Sequence, residues 1–165
     1  MAIQITLRIS NDKNVLTIDK ISKYIKSKGM TCRTVSENSV EFEKEGARYK
    51  MFFDGHRFQL GLVFSLDEAA PAQMLLKASN QFNLESCGVK ASMNIDENNP
   101  ANNLLVFSAD GFYHRPKDFE KDLDCSIEAI KGGVERHRSI CQKLSSDAAS
   151  QPARRKIGFI QDNEE

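Results

Sequence analysis

Apolar residues recur at every second position near the start of the chain, with Ile3, Ile5, Leu7 and Ile9 set against Gln4, Thr6 and Arg8. A period of two predicts a half-buried strand over residues 3–9. Ser10 to Asn14 is a polar run that reads as a turn. The period then changes. Ile18, Ile21 and Ile25, joined by Tyr24, fall on one helical face, and Lys20, Lys23, Lys26 and Lys28 lie largely off it. Thr17 is placed to cap this helix, Asp19 meets the positive end of its dipole, and Gly29 offers the left-handed exit.

From Met30 to Phe64 the pattern returns to strands. Thr31 to Val35 is followed by the turn Ser36-Glu37-Asn38, then by Val40 and Phe42 alternating with Glu41 and Glu43. Glu45-Gly46 makes the next turn. Tyr49, Met51 and Phe53 then alternate with Arg48, Lys50 and Phe52. Asp54-Gly55 suits a tight hairpin because glycine accepts positive φ without strain. The return strand sets Phe58, Leu60, Leu62 and Phe64 against Arg57, Gln59, Gly61 and Val63. Short turns between alternating runs predict an antiparallel meander.

A second helix is expected after Ser65, with Asp67 and Glu68 near its start and Pro71 in its first turn. Its apolar stripe is Met74, Leu75, Ala78 and Phe82, and it ends near Asn83. Cys87 to Ile95 is a strand, residues 96–100 a polar turn, and Leu104 to Phe107 a densely apolar, central strand. Asp110-Gly111 reads as a further turn, leading through Phe112 and Tyr113 to a last helix that Pro116 opens. In that helix Phe119, Leu123, Ile127, Ile130 and Val134 form one stripe, which continues through Ile140, Cys141 and Leu144. Gly132-Gly133 should weaken it by about 1 kcal/mol per glycine. The expected organisation is one α+β domain over residues 1–144, an antiparallel meander sheet with helices packed on it, and a flexible tail over 145–165.

Charge narrows the choice of partners. The chain has 23 basic and 23 acidic residues among 165, so it lacks the basic surplus by which nucleic-acid binders neutralise phosphates. No run approaches the roughly 18–20 apolar residues of a membrane helix. The first residues lack the basic start and apolar core of a signal peptide, which points to a cytoplasmic address. Cys32, Cys87, Cys125 and Cys141 form no C-x-x-C pair and are expected to be free thiols filling core or boundary positions.

No catalytic or metal constellation emerges. His56, His114 and His137 lack neighbouring ligands at useful spacing, and no phosphate-cradling glycine loop occurs. His56 reads as a solvated turn residue and His137 as a helix-surface residue. Asp118, Glu120, Asp122 and Asp124 read as a solvated helix face. Cys87 and Cys125 are the candidates for a thiol nucleophile, and buried inert thiols are the plainer reading. The expectation is a protein that is not an enzyme and holds no cofactor.

Three features point instead to binding. Phe52 and Val63 fall on the polar side of the Asp54-Gly55 hairpin, as an exposed apolar patch or under a second covering layer. The 3–9 strand can pair with a sheet edge in its own chain, which its regular pattern favours, or in a second copy. In the tail, Arg154-Arg155-Lys156 precedes Ile157, Phe159 and Ile160, a segment fit either to dock on a partner or to fold back on its own domain.

The segment Ile21 to Met30, with its glycine exit, the meander through Asp54-Gly55, the helix Met74 to Asn83, and the closing helix Phe119 to Cys141 together resemble the bacterial YbjN-like family. The resemblance covers residues 15–144. It implies a fold similar to that of type III secretion chaperones, a non-enzymatic role in sensory or stress regulation, and a chaperone-like capacity to bind polypeptide. Apart from the resemblance, the binding reading predicts a dimer joined through the sheet or the long last helix. The family has no catalytic signature to match. Two features of this chain depart from its pattern: the 3–9 strand, and a neutral charge where secretion chaperones are acidic.

Overall fold

Thr17 opens the first helix. In the computed structural model, which describes residues 16–67, 71–96, 98–99, 102–113 and 115–150, its hydroxyl accepts from the Lys20 N–H at 3.4 Å, at the start of α1 (Ile18–Ser27). Ile21 and Ile25 are buried on one side of α1 while its lysines face water. The chain leaves through Gly29 at φ 77°, a backbone region that costs little only for glycine.

Four strands follow as a meander: β1 (Thr31–Ser36), β2 (Ser39–Lys44), β3 (Ala47–Asp54) and β4 (Arg57–Ser65). Then come α2 (Ala72–Glu85), β5 (Val89–Asn94), β6 (Leu104–Phe112) and α3 (Pro116–Ser150). The six strands form one sheet in the order β1-β2-β3-β4-β6-β5, antiparallel at every junction. This is the expected α+β architecture. The strand expected to be central, β6, lies inside the sheet between β4 and the edge strand β5.

Register aligns Cys32, Phe42, Tyr49, Leu62, Phe107 and Ala91 in one row across the sheet. Against this face lie Ile21 and Ile25 of α1, Phe82 of α2, and Phe119, Leu123, Ile127 and Ile130 of α3, all essentially excluded from water. Aromatic rings meet edge to face, Phe58 with Phe119 at 5.3 Å and Phe82 with Phe107 at 5.9 Å. Such pairs add about 0.5–1.5 kcal/mol each beyond the area they bury. The Gly132-Gly133 pair does not interrupt α3. A β-carbon at Gly133 would stand 3.1 Å from Val89 Cγ1 and 3.3 Å from Phe82 Cζ, so this glycine lets α3 approach α2 and β5 closely.

Three local expectations need correction. Helix α2 starts at Ala72, not directly after Ser65, and Pro71 stands at its N-cap. Proline has no N–H to give and disfavours helical backbone in the residue before it, so a helix cannot run across it at no cost. The stretch after β4 is held to the sheet instead, where the Leu66 N–H donates to the Asn103 carbonyl at 2.8 Å.

Asp110-Gly111 is not a turn. Strand β6 runs on to Phe112, with Asp110 opposite Gln59 and Gly111 opposite Phe58. Glycine is needed there because the Phe58 ring lies where a β-carbon would project. Last, α3 passes Leu144 and continues to Ser150, into the stretch assigned to the tail. The strand expected over residues 3–9 and the tail residues Ile157, Phe159 and Ile160 lie outside the described residues.

Candidate interaction surface

Side chains alternate across a strand, so the residues between the buried positions form a second face. Register sets Arg33, Glu41, Lys50, Gly61, Ser108 and Lys90 in one row across it. Toward the hairpin tip a second row holds Ser39, Phe52, Gln59 and Asp110, and a third holds Asp54, Arg57 and Phe112. On the other side Val63 pairs with Val106 and Val106 with Ser92. Among the described residues no helix packs on this face.

Two phenylalanines stand out from it, Phe52 at 47% and Phe112 at 67% exposure. Each has a cation over its ring: Lys50 Nζ lies 5.2 Å from the Phe52 centroid, and the Arg57 guanidinium 5.8 Å from that of Phe112. Contacts of this kind are worth about 0.5–1 kcal/mol at exposed sites. Arg57 also bridges to Asp110 at 3.2 Å, and Arg33 to Glu41 at 2.6 Å. The charges on the face are therefore of mixed sign and largely paired side by side, around an apolar strip at Gly61, Val63 and Val106.

Of the two contact residues read from the sequence on this hairpin, Phe52 projects into solvent. Val63 is half-buried beside Val106. Phe112 was missed because Asp110-Gly111 read as a turn and placed it in a loop. The strand period extended by three residues beyond Ala109 would have put it on the same face as Val106 and Ser108.

Among the described residues no three histidine, cysteine or acidic side chains are grouped to hold a metal. The expectation for His137 needs correcting, since it is buried at 3% exposure and not on the helix surface. Its Nε2 is 3.0 Å from Ser79 Oγ and its Nδ1 3.7 Å from Cys141 Sγ, and its ring packs edge-on against Phe107 at 5.2 Å. Burial pushes its pKa below the ordinary histidine value, offset only in part by the Leu75 backbone carbonyl. Ser79 is equally buried, so this serine–histidine pair ties α2 to α3 inside the protein and cannot meet a substrate.

The thiols divide differently from the expectation. Cys87 and Cys125 are exposed, whereas Cys32 and Cys141 are half-buried. The helical stripe that buries Leu123, Ile127 and Ile130 turns Cys125 outward, and Cys87 lies in the short link between α2 and β5. No base is hydrogen-bonded to either exposed thiol among the described residues. His56 is exposed near Tyr113, and His114 lies outside the described residues. The acidic run at the start of α3 is partly engaged: Asp118 pairs with Arg115 at 2.9 Å, and Asp124 with Lys28 at 3.7 Å.

No protein-family model and no curated protein matches this chain. Among solved structures, it is similar to a crystal structure of YbjN from E. coli, described as a candidate transcription regulator. The TM-score is 0.53, with 11% sequence identity over 80% of this chain and 94% of that one. At that identity the likeness is one of fold: a YbjN-like α+β arrangement.

Proposed function

We propose that this chain is a non-enzymatic binding module that engages a polypeptide partner through the uncovered face of its sheet. The observation that carries this reading is the asymmetry of the sheet. Three helices pack on one side, and the other side presents Phe52 and Phe112 to solvent at the same end. A hydrophobic anchor flanked by paired charges and hydrogen-bonding side chains is the composition of a protein-contact patch. The balanced charge, 23 basic against 23 acidic residues, favours polypeptide over nucleic acid, because binding to phosphates is driven by a basic surplus.

The test is suppression of aggregation of a chemically unfolded client protein, together with binding to an array of apolar-rich peptides. The Phe52→Ser/Phe112→Ser double variant should lose most of both activities and keep its melting temperature. Retention of wild-type activity by the folded double variant would refute the reading. A second reading, a regulator acting through protein contact, is favoured by the description of YbjN as a candidate transcription regulator. It would use the same face with one dedicated partner, and the array would then show no general preference for apolar peptides.

A further inference from the structure

The outermost strands of a sheet leave a row of N–H and C=O groups open to another strand. Here those strands are β1 and β5, and the molecule treats them differently. On β5 the side chain of Asn83 stands where a neighbouring peptide unit would. Its Nδ2 donates to the Ala91 carbonyl at 2.7 Å, and its Oδ1 accepts from the Ala91 N–H at 2.8 Å. Lys90 Nζ donates to the Asn83 carbonyl at 3.2 Å and fastens the end of α2 to the same edge. On β1 no side chain does this among the described residues. Every residue of β1 except Cys32 is exposed.

The chain contains a segment with the pattern such an edge requires, residues 3–9, with four aliphatic side chains on one side. Handedness bears on which copy supplies it. Strands β4 and β5 each run antiparallel to β6, so they are parallel to each other and joined by a crossover through α2. A strand beside β1, parallel to it and joined through α1, would make a second crossover. Both helices lie on the same side, because Ser22 of α1 meets Cys32 and Phe82 of α2 meets Phe107, two members of one register row.

Both crossovers would also advance in the same direction across the sheet. Yet β1 and β4 point opposite ways, being three antiparallel junctions apart. The two crossovers would then have opposite hands. Right-handed connections account for about 98% of such units, so with α2 right-handed the crossover through α1 is the forbidden one.

An antiparallel placement within the chain fares little better. It would start residues 10–16 at the far end of β1 and bring them back along the strand, about 20 Å, and up to the helix layer. Those residues reach that far only when almost fully extended, at roughly 3.3–3.6 Å each. Ser10-Asn11-Asp12-Lys13-Asn14 is a run that favours a turn instead.

We infer that residues 3–9 add to the β1 edge of a second copy of this chain. The aliphatic side chains turn toward the helix layer beside Cys32 and Thr34, and the exchange is reciprocal about a two-fold axis. This contact is separate from the sheet face proposed above and stands without it. It replaces the in-chain pairing that the sequence pattern alone favours.

Light scattering of the full chain should give twice the 18.6 kDa chain mass at micromolar concentration. Leu7→Pro, which removes one donor and the extended pairing, should give a single-chain mass with an unchanged circular dichroism spectrum. A monomeric wild type, or a Leu7→Pro dimer, overturns the inference. A second measurement does not depend on that variant's folding. Thr6→Cys chains are mixed with Arg33→Cys chains, both carrying Cys87→Ser and Cys125→Ser, and treated with a short bismaleimide. Cross-links between the two chains are expected. Their absence, or cross-links formed only within a chain that carries both cysteines, overturns the inference.

Discussion

Substituting Gly111 by alanine tests whether β6 runs straight past Asp110 and under the Phe58 ring. A β-carbon at this position would overlap Cζ and Cε1 at the tip of the Phe58 ring and stand only 2.7 Å from Cε2. The ring has nowhere to go. It is fully buried and met edge-on by Phe119 at 5.3 Å, which is itself met by Tyr113 at 5.7 Å. Overpacking of this kind costs typically about 1–3 kcal/mol. The loss of unfolded-chain freedom from glycine to alanine returns about 0.4–1 kcal/mol where the backbone is compatible.

The net expectation for Gly111→Ala is a loss of about 1–2 kcal/mol. For a protein of this size that lowers Tm by roughly 2–8 °C, at about 2–4 °C per kcal/mol. Thermal and urea denaturation followed by circular dichroism would measure it. The mechanism is specific to one ring, so Phe58→Leu, which shortens the side chain, should absorb the alanine. The double variant should then be no less stable than Phe58→Leu alone, a coupling of about 0.5–3 kcal/mol. Purely additive losses, or a Gly111→Ala protein melting within a degree of wild type, would show that the ring does not fill this space.

Two further outcomes follow from the helices. Gly132 has nothing within 4 Å of its missing β-carbon, so Gly132→Ala should stabilise the protein by about 1 kcal/mol on thermal denaturation; Gly133→Ala, crowded by Val89 and Phe82, should fall short of that gain. His137 is held below its ordinary pKa by burial, so its neutral form is the one the fold favours. The stability linked to it is present above the unfolded value of about 6.5 and is lost as pH falls through that value toward the folded one. Tm should therefore drop between about pH 7 and 5 more steeply for wild type than for His137→Gln, above the range in which most carboxylates titrate. Parallel pH profiles would contradict this.

The fold was legible where one period held over a whole element and turn chemistry marked its ends. The meander from β1 to β4 is such a region: glycines at positive φ mark two turns, and in β3 and β4 alternate side chains such as Tyr49, Met51, Phe58, Leu60 and Leu62 are buried. Two of the errors share a cause, a local signal overridden by a tertiary contact. Asp110-Gly111 carries the dipeptide of a hairpin, and only the approach of Phe58, some fifty positions away, makes the glycine a strand residue. His137 is a polar residue in a largely polar stretch of helix. Its burial became visible only when α2 brought Ser79 to within 3.0 Å.

Phe52 was readable as an apolar residue on a polar strand face, whereas its companion Phe112 was hidden by the misplaced turn. Asn83 also gave no signal, since an asparagine near a helix end reads as a terminator. Its bonds to Ala91 depend on where β5 returns.

The amide of Asn83 also limits what large-scale assembly this protein can undergo. Fibrous aggregation by edge pairing needs two sticky margins per molecule, one to receive a strand and one to offer the next template. At the middle of β5 this sheet is plugged by a group with the same chemistry as the peptide bond, so an incoming chain there meets the Ala91 donor and acceptor already in use. Stacking that begins at β1 runs out of open ends after one joint. A reciprocal exchange at β1 then closes on itself as a pair and gives a growing fibril no margin to extend from.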